Sequence, residues 1–391
     1  MKKVLFYCQH ILGIGHLIRS MEITRGLVKD FKVCFVNGGQ VIQGFEAPPS
    51  VDIINIPAIK TDPEFQELEV VDDSLTLEEV QVIRREKLLN VFEQFKPDIL
   101  IVELFPFGRR RFSFELIPLM EQAKAAGTKV VCSLRDIVVT KKQNQARHEE
   151  KVCQLINQYF DLLLVHGDPN LVGLEESFSR ISDLNCEVHY TGYVAQSLLE
   201  AFEDDSALLK IKQPTILVSV GGGRFGHDLL ECVVKTAPIL KQLLPHHIHM
   251  FTGPFIPEDV LAKLQNLAAG QTNITIGRYT PQLLAYMKHA DLSISMSGYN
   301  TTMNILMTGV RAMMMAFRGN GDEEQAIRVT RLEELGIVSV IHPDDLEPQR
   351  FAKKVVTYLS QQPATANFDF GGVEKTAACL QRLLQKQEVA A

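Results

Sequence analysis

The feature that most constrains the fold is an alternation along the whole chain, in which short unbroken apolar runs are separated by amphipathic stretches. Runs rich in Val, Ile, Leu and Phe without polar alternation suit strands covered on both faces. That is the condition of a parallel sheet with helical crossovers. In the first half the runs are Lys3–Cys8, Lys32–Asn37, Asp52–Ile56, Asp98–Glu103, Lys129–Leu134 and Asp161–His166. Helices are expected near residues 16–29, 76–95, 113–126 and 143–158, the first with Leu17, Ile18, Met21 and Val28 along one side.

The pattern then restarts. Pro214–Val220 leads into Gly221, Gly222 and Gly223 and a helix from about Asp228. Further strands are expected at Ile248–Thr252, Asn273–Ile276, Asp291–Met296, Arg311–Phe317 and Val338–Ile341. Two βαβ series in tandem imply two similar domains, which suits 391 residues at roughly 150 per domain. The expected division is 1–195, an acidic linker 196–212, a second domain 213–365, and a terminal helical segment 366–391 whose docking stays open. The polar stretch Asp62–Leu75 reads as a mobile surface loop of the kind that borders a binding site.

Composition serves to exclude. A formal charge of −7 lacks the basic excess of a nucleic-acid binder. The first apolar run stops at Gln9 and His10 with no small-residue cleavage site, so it reads as a strand and not a signal peptide. No window reaches the ~18 uninterrupted apolar residues of a spanning helix. A cytoplasmic protein is expected, with peripheral membrane contact left open. The seven cysteines are scattered and free of CxxC pairing, as for buried thiols in a reducing compartment. The histidines, including His246, His247 and His249, lack metal-ligand spacing, and the pairs Asp72-Asp73 and Asp344-Asp345 read as exposed loop charges, so no metal site is expected.

Three segments carry chemistry. Gly13, Ile14, Gly15 and His16 follow the first strand and open a helix. Glycines there let backbone N–H groups approach a ligand, and a helix N-terminus favours negative charge. A plain tight turn gives the same pattern. His16 sits where open α/β sheets bind ligands, and an imidazole there is suited to take a proton from a hydroxyl or amine. Glu103, at the end of its strand, is the first candidate to orient that ring, and Asp136 the second. The second segment, Gly221–Gly223 with Arg224, repeats the strand-then-glycine arrangement and offers free amides and a cation to a phosphate. The third runs from Asp291 through Ser297, Gly298, Tyr299, Asn300, Thr301 and Thr302 to Asn304. An apolar strand there enters a small-residue turn, and a new helix begins whose amides suit a diphosphate. About twenty residues on, Asp322, Glu323, Glu324 and Gln325 open another helix and offer groups to sugar hydroxyls. After Glu103, the run Leu104–Arg111 interleaves aromatics with Arg109, Arg110 and Arg111. It reads either as recognition of an anionic acceptor or as a solvated loop whose Phe residues pack inward.

In these motifs, with Thr191-Gly192-Tyr193 and Tyr279-Thr280-Pro281 between them, the chain resembles the GT-B glycosyltransferases. The likeness is to the group around the bacterial peptidoglycan N-acetylglucosaminyl transferase, in its predicted-glycosyltransferase branch. That resemblance implies two Rossmann-like domains facing across a cleft, and an inverting, metal-independent transfer from a nucleotide-diphosphate sugar to a hydroxyl or amine. It places Tyr279 and Thr280 at the base, and Ser297, Gly298, Asn300 and Thr301 at the diphosphate with Gly15, Gly221, Gly222, Gly223 and Arg224. Glu324 and Gln325 fall at the sugar, and Arg109, Arg110 and Asp136 near the acceptor. It implies no cofactor beyond the nucleotide sugar, with UDP as the default nucleotide. One departure stands out. Many relatives carry glutamate at the position of Asn304, where it accepts from both ribose hydroxyls; a neutral amide has one acceptor oxygen. A nucleotide-sugar hydrolase, a 2-epimerase of the same fold and a catalytically silent nucleotide-sugar binding subunit are the alternatives.

Overall fold

The computed structural model describes the chain except residues 12–14, 43–46, 62–66, 73, 140–143, 197–213, 318, 320–322 and 391, and gives only the backbone of 387–390. Gly13, Ile14, Asp73, Asp322 and most of the expected linker therefore lie outside the described residues. Two compact units result. One comprises Met1–Val194, Asn320–Glu324 and Phe368–Ala391; the other comprises Ala195–Gly319 and Gln325–Asn367.

The first unit is built on β1 (Lys3–Cys8), β2 (Lys32–Asn37), β3 (Asp52–Asn55), β6 (Ile99–Glu103), β7 (Lys129–Arg135), β8 (Leu162–His166) and β9 (Glu187–Tyr190). All pairs are parallel, in the order β3-β2-β1-β6-β7-β8-β9. The helices are α1 (Gly15–Leu27), α2 (Leu77–Phe95), α3 (Ser113–Ala125) and α4 (Gln145–Tyr159). α2 starts where Thr76 and Glu79 form a capping box, which satisfies two otherwise orphaned N–H groups. Val4–Cys8, Ile99–Val102 and Val130–Cys132 are buried almost completely, as continuous apolar strands under helices on both faces must be.

The second unit repeats the plan. Its strands are β10 (Thr215–Ser219), β11 (His247–Phe251), β12 (Ile274–Gly277), β13 (Leu292–Met296), β14 (Ala312–Met315) and β15 (Val338–Val340). They pair in parallel in the order β12-β11-β10-β13-β14-β15. Helices α5 (His227–Leu243), α6 (Glu258–Ala268), α7 (Leu283–His289), α8 (Tyr299–Thr308) and α9 (Glu324–Glu334) make the crossovers, and α10 (Pro348–Leu359) follows β15 and packs on α5. Its core gathers Ile216, Val218, Met250, Ile294 and Met313 of the sheet with Leu230, Val234 and Leu264 of α5 and α6 and Phe351 and Val355 of α10.

Three expectations need correction. The stretch Asp62–Leu75, read as a loop, contains a strand, β5 (Leu68–Val70), which pairs antiparallel with β4 (Ile59–Thr61) just before it. Strand β9 escapes the sequence reading because Glu187 and His189 interrupt its apolar residues at the sheet edge. Asp345 is buried rather than exposed: it accepts from Lys354 Nζ at 2.5 Å and from His342 N at 2.9 Å, and so closes a turn. The seven cysteines are free thiols, and six of them are buried. Among the described residues no helix is long and apolar enough to cross a membrane.

The terminal helix α11 (Gly372–Ala390), left open by the sequence, belongs to the first unit. Tyr193 N donates to Asp369 O at 2.7 Å, so the Thr191-Gly192-Tyr193 segment seats the approach to this helix. α11 packs on α1, where a Cβ at Gly26 would stand 2.1 Å from Val373 Cγ1. Gly26→Val is therefore expected to destabilise the first unit by about 1–3 kcal/mol, the usual cost of overpacking. A lowered melting temperature together with faster proteolytic release of the C-terminal helix is the outcome to measure. Unchanged melting and proteolysis would contradict this docking.

Candidate active site

In an open α/β sheet, ligands bind at the carboxyl ends of the strands where the strand order reverses. In the first unit that point lies between β1 and β6. α1 leaves β1 there and carries His16 in its first turn, while Glu103 is the last residue of β6. His16 Nδ1 lies 2.7 Å from Glu103 Oε1, and the Glu103 side chain is wholly buried. Asp136, just past β7, instead accepts from the N–H of Ile137 and packs against Gly167. Arg19, one turn beyond His16, donates through Nη2 to the same Glu103 oxygen.

The electrostatics follow from this crowding. Burial would raise the Glu103 carboxyl, but His16, Arg19 and Arg109 together hold it well below the usual carboxylate range. Burial pushes His16 far down, and Glu103 only partly opposes it. A neutral imidazole beside an ionised carboxylate keeps its proton on Nδ1, which donates to Oε1. Nε2 then holds the free lone pair. Arg19 was not singled out by the sequence reading; its only signal there is its i+3 spacing from His16, which puts both on one face of the helix.

Arg109 donates from Nε to Gln9 O at 2.8 Å, and its two terminal nitrogens have no hydrogen-bond partner among the described residues. Arg110 is half-buried, and burial lowers it. Phe105, Phe107 and Phe112 pack inward, Phe107 edge-on to Phe178 with ring centroids 5.1 Å apart. Inward aromatics and an available guanidinium thus coexist in the segment.

In the second unit the strand order reverses between β10 and β13. Gly221–Gly223 follows β10, and Ser297 and Gly298 follow β13, so both glycine-bearing turns stand at one switch point. Gly223 has φ 88°, and a Cβ on it would stand 2.4 Å from Thr252 O. Gly253, at φ 90°, presses on the same turn, 2.4 Å from Gly223 N by the same measure. The sequence reading missed Gly253, although Gly253-Pro254 after a strand is a turn signal. Arg224 lies over the Phe255 ring at 5.2 Å.

α5 and α8 both begin at a glycine N-cap, Gly226 and Gly298, with no side-chain cap. Ser297 turns its hydroxyl back to Met315 O and Gln325 O, while Asn300 and Thr301 of the first α8 turn are half-buried. Asn304, one turn on, is buried and reaches Gln196 Oε1 at 3.5 Å. Gln325 Oε1 accepts from Phe317 N at 3.0 Å. Arg328, fully buried and absent from the sequence-derived set, donates to Ser297 O at 3.3 Å and stacks 5.5 Å from the Tyr299 ring. Tyr279, well exposed, and Thr280, which accepts from Gln282 N, stand beyond the end of β12. Glu324 opens α9, is buried, and groups with the first unit. Gly15 is the first residue of α1, in the first unit, so it and the second-unit residues belong to separate bodies.

Residues 215–369 match the glycosyltransferase family 28 C-terminal domain. Over 100% of both chains, this chain is 22% identical to the NDP-glycosyltransferase YjiC of Bacillus subtilis. Over 157 residues, 40% of each chain, it is 27% identical to a UDP-N-acetylglucosamine--N-acetylmuramyl-(pentapeptide) pyrophosphoryl-undecaprenol N-acetylglucosamine transferase of Methylobacterium radiotolerans. Its fold is shared with UGT2 of Phytolacca americana, solved with UDP-2fluoro-glucose and pterostilbene, at TM-score 0.61 and 15% identity over 98% of this chain and 94% of that one. It is shared too with the UDP-GlcNAc 2-epimerase of Neisseria meningitidis bound to UDP-GlcNAc, at TM-score 0.58 and 14% identity over 99% and 100%. The chain is a glycosyltransferase of the GT-B fold. The peptidoglycan N-acetylglucosaminyl transferases are among its relatives. The matched family segment opens on β10 and contains the Gly221, Tyr279, Ser297 and Gln325 motifs together.

Three histidines of the first unit are buried in the neutral form. Burial takes His10 to about 4 and His166 to about 3, and His16 falls likewise. His166 bridges Ser133 Oγ and Thr191 Oγ1, each at 2.8 Å. With folded values below the unfolded one, the unfolded chain binds more protons as pH falls through about 6.5, so stability is lost on acidification. The expected loss is about 1.4 kcal/mol per histidine for each pH unit below that value. Melting temperatures measured from pH 7.5 to 5 should fall steadily; a constant or rising series would contradict the neutral burial.

Proposed function

We propose that the chain moves a sugar from a nucleotide-diphosphate sugar to an acceptor hydroxyl or amine, inverting the anomeric centre without a metal ion. The observation that carries this reading is the His16–Glu103 contact at the first switch point. It leaves an unprotonated Nε2 on a ring held by a buried carboxylate, which is the state a general base needs. The acceptor oxygen or nitrogen attacks the anomeric carbon, and its proton passes to Nε2. The bond to the β-phosphate oxygen breaks, and its electron pair leaves with the nucleoside diphosphate. Glu103 stabilises the imidazolium as it forms.

The second unit supplies the donor subsite in this reading. The uncapped starts of α5 and α8 present backbone N–H groups and the positive ends of two helix dipoles, fixed before reaction. These, with Arg224, would carry the charge of the departing diphosphate in place of a divalent ion. Gln325 would donate to a sugar hydroxyl, and Asn304 would face the ribose, where an amide discriminates less strongly than a carboxylate. On the acceptor side the available nitrogens of Arg109, with Arg110 beside them, favour an anionic acceptor.

A thermal-shift series of nucleotide diphosphates and nucleotide sugars tests the donor claim, because a ligand of the folded state raises the melting temperature. At least one member should raise it, and uridine compounds are expected to lead; no shift with any member would defeat the reading. Release of free sugar and nucleotide without an acceptor would reassign the chain to hydrolysis. His16→Ala should lower kcat by ~10²–10⁴ while donor affinity holds. Full turnover in that variant would remove the base. Because His16 is already neutral, kcat/KM should show no inflection near pH 6.5, and turnover should survive EDTA.

A further inference from the structure

Away from His16, a second buried charge cluster lies under the first sheet, and the proposed chemistry makes no direct use of it. Arg84 of α2 and Glu115 of α3 are both fully buried. The guanidinium meets the carboxylate through two bonds, Nε to Oε2 at 2.9 Å and Nη2 to Oε1 at 2.6 Å. A bidentate pair of this kind costs much to bury, and its other donors must also be satisfied. Where those donors go is informative. Nη1 reaches Gly38 O at 2.8 Å and Pro57 O at 2.6 Å, and Nη2 reaches Gln9 Oε1 at 2.7 Å.

Gln9, Gly38 and Pro57 are the first residues beyond the carboxyl ends of β1, β2 and β3, or within two of them. One guanidinium thus ties three consecutive strand-end loops to one point. The tie extends further. The backbone oxygen of Gln9 holds Arg109 Nε, and the Arg84 guanidinium lies 5.4 Å from the ring of Phe112, at the far end of the Arg109 segment. All five N–H donors of Arg84 are used, and only an arginine fork supplies five in fixed directions.

We propose that Arg84, held by Glu115, is the positioning residue of the acceptor rim, setting the three loops and Arg109 in the arrangement that receives the acceptor. This rests on the acceptor role proposed above for the first unit. The donors left over from the ion pair are satisfied by two backbone carbonyls and one side-chain amide oxygen, each from the segment that follows a different strand. Lysine at this position keeps the charge opposite Glu115 but has three donors at a single nitrogen, so it cannot hold three loops at once.

Hydrogen exchange on two variants of the full chain tests this. Arg84→Lys retains the charge; the double variant Arg84→Met, Glu115→Gln removes both charges and leaves neither unpaired, so that folding survives. In both, amides of Gln9–Ile11, Asn37–Gln40, Asn55–Ile59 and Leu104–Phe112 are expected to exchange at least ~tenfold faster, as locally opened segments do. Strands β6 to β8 should exchange as in the parent, and the thermal shift given by UDP should be unchanged. Equal exchange at the four segments, or acceleration spread over the whole first unit, would overturn the proposal. A parent protein that gives no shift with any nucleotide defeats the donor reading instead, and the exchange pattern still decides the role of Arg84.

Discussion

The structure depends on one constraint of parallel sheets. Parallel neighbours require a crossover, crossovers keep one hand, and a sheet grown outward in both directions from its first strand must reverse its order once. At that reversal the chain leaves two adjacent strands toward opposite faces, and the carboxyl edge opens between them. Both units meet the constraint in the same way, between β1 and β6 and between β10 and β13. The residues proposed above to carry chemistry stand at these two places because backbone ends and helix starts coincide there.

The two switch points use different physics. The first relies on burial: a carboxylate without solvent is kept ionised by Arg19 and Arg109, and a largely buried imidazole is kept neutral. The second relies on the main chain. Gly221–Gly223 and Gly253 interlock so closely that a side chain on either Gly223 or Gly253 would strike backbone, and two helices start without side-chain caps. Fixed backbone amides are neutral donors whose hold on an anion does not titrate, whereas in the proposed mechanism the histidine must keep a lone pair. The proposed proton-handling group and the proposed anion-binding surface thereby stand in different dielectric surroundings.

Two further buried charges serve the same edges from behind. Arg84 gathers the ends of β1, β2 and β3, and Arg328 lies under the turn at Ser297 and against Tyr299. Each is a fully buried guanidinium that donates to a backbone or amide oxygen of a loop. A loop at a ligand edge has few apolar contacts of its own, so directed hydrogen bonds from beneath fix it where packing cannot.

Much of this was legible in the sequence, and the boundary is physical. The uninterrupted apolar runs determined the parallel strands to within a residue or two, and their restart at Pro214 determined two units, since such strands must be covered on both faces wherever they occur. The glycine turn after β10, and His16 at the start of α1, follow from local rules of backbone and helix ends. The sequence did not determine which runs become neighbours. Only the tertiary structure brought Glu103 to His16 across 87 residues, gave Arg19 the same oxygen, and set Gly253 against Gly223. Local pattern is set by each residue's own conformational and burial preference, but a shared oxygen or a glycine-on-glycine contact depends on strand order and register, which no single segment carries. For the same reason β9 and Asp345, polar in sequence, were decided by the neighbours that the fold put beside them.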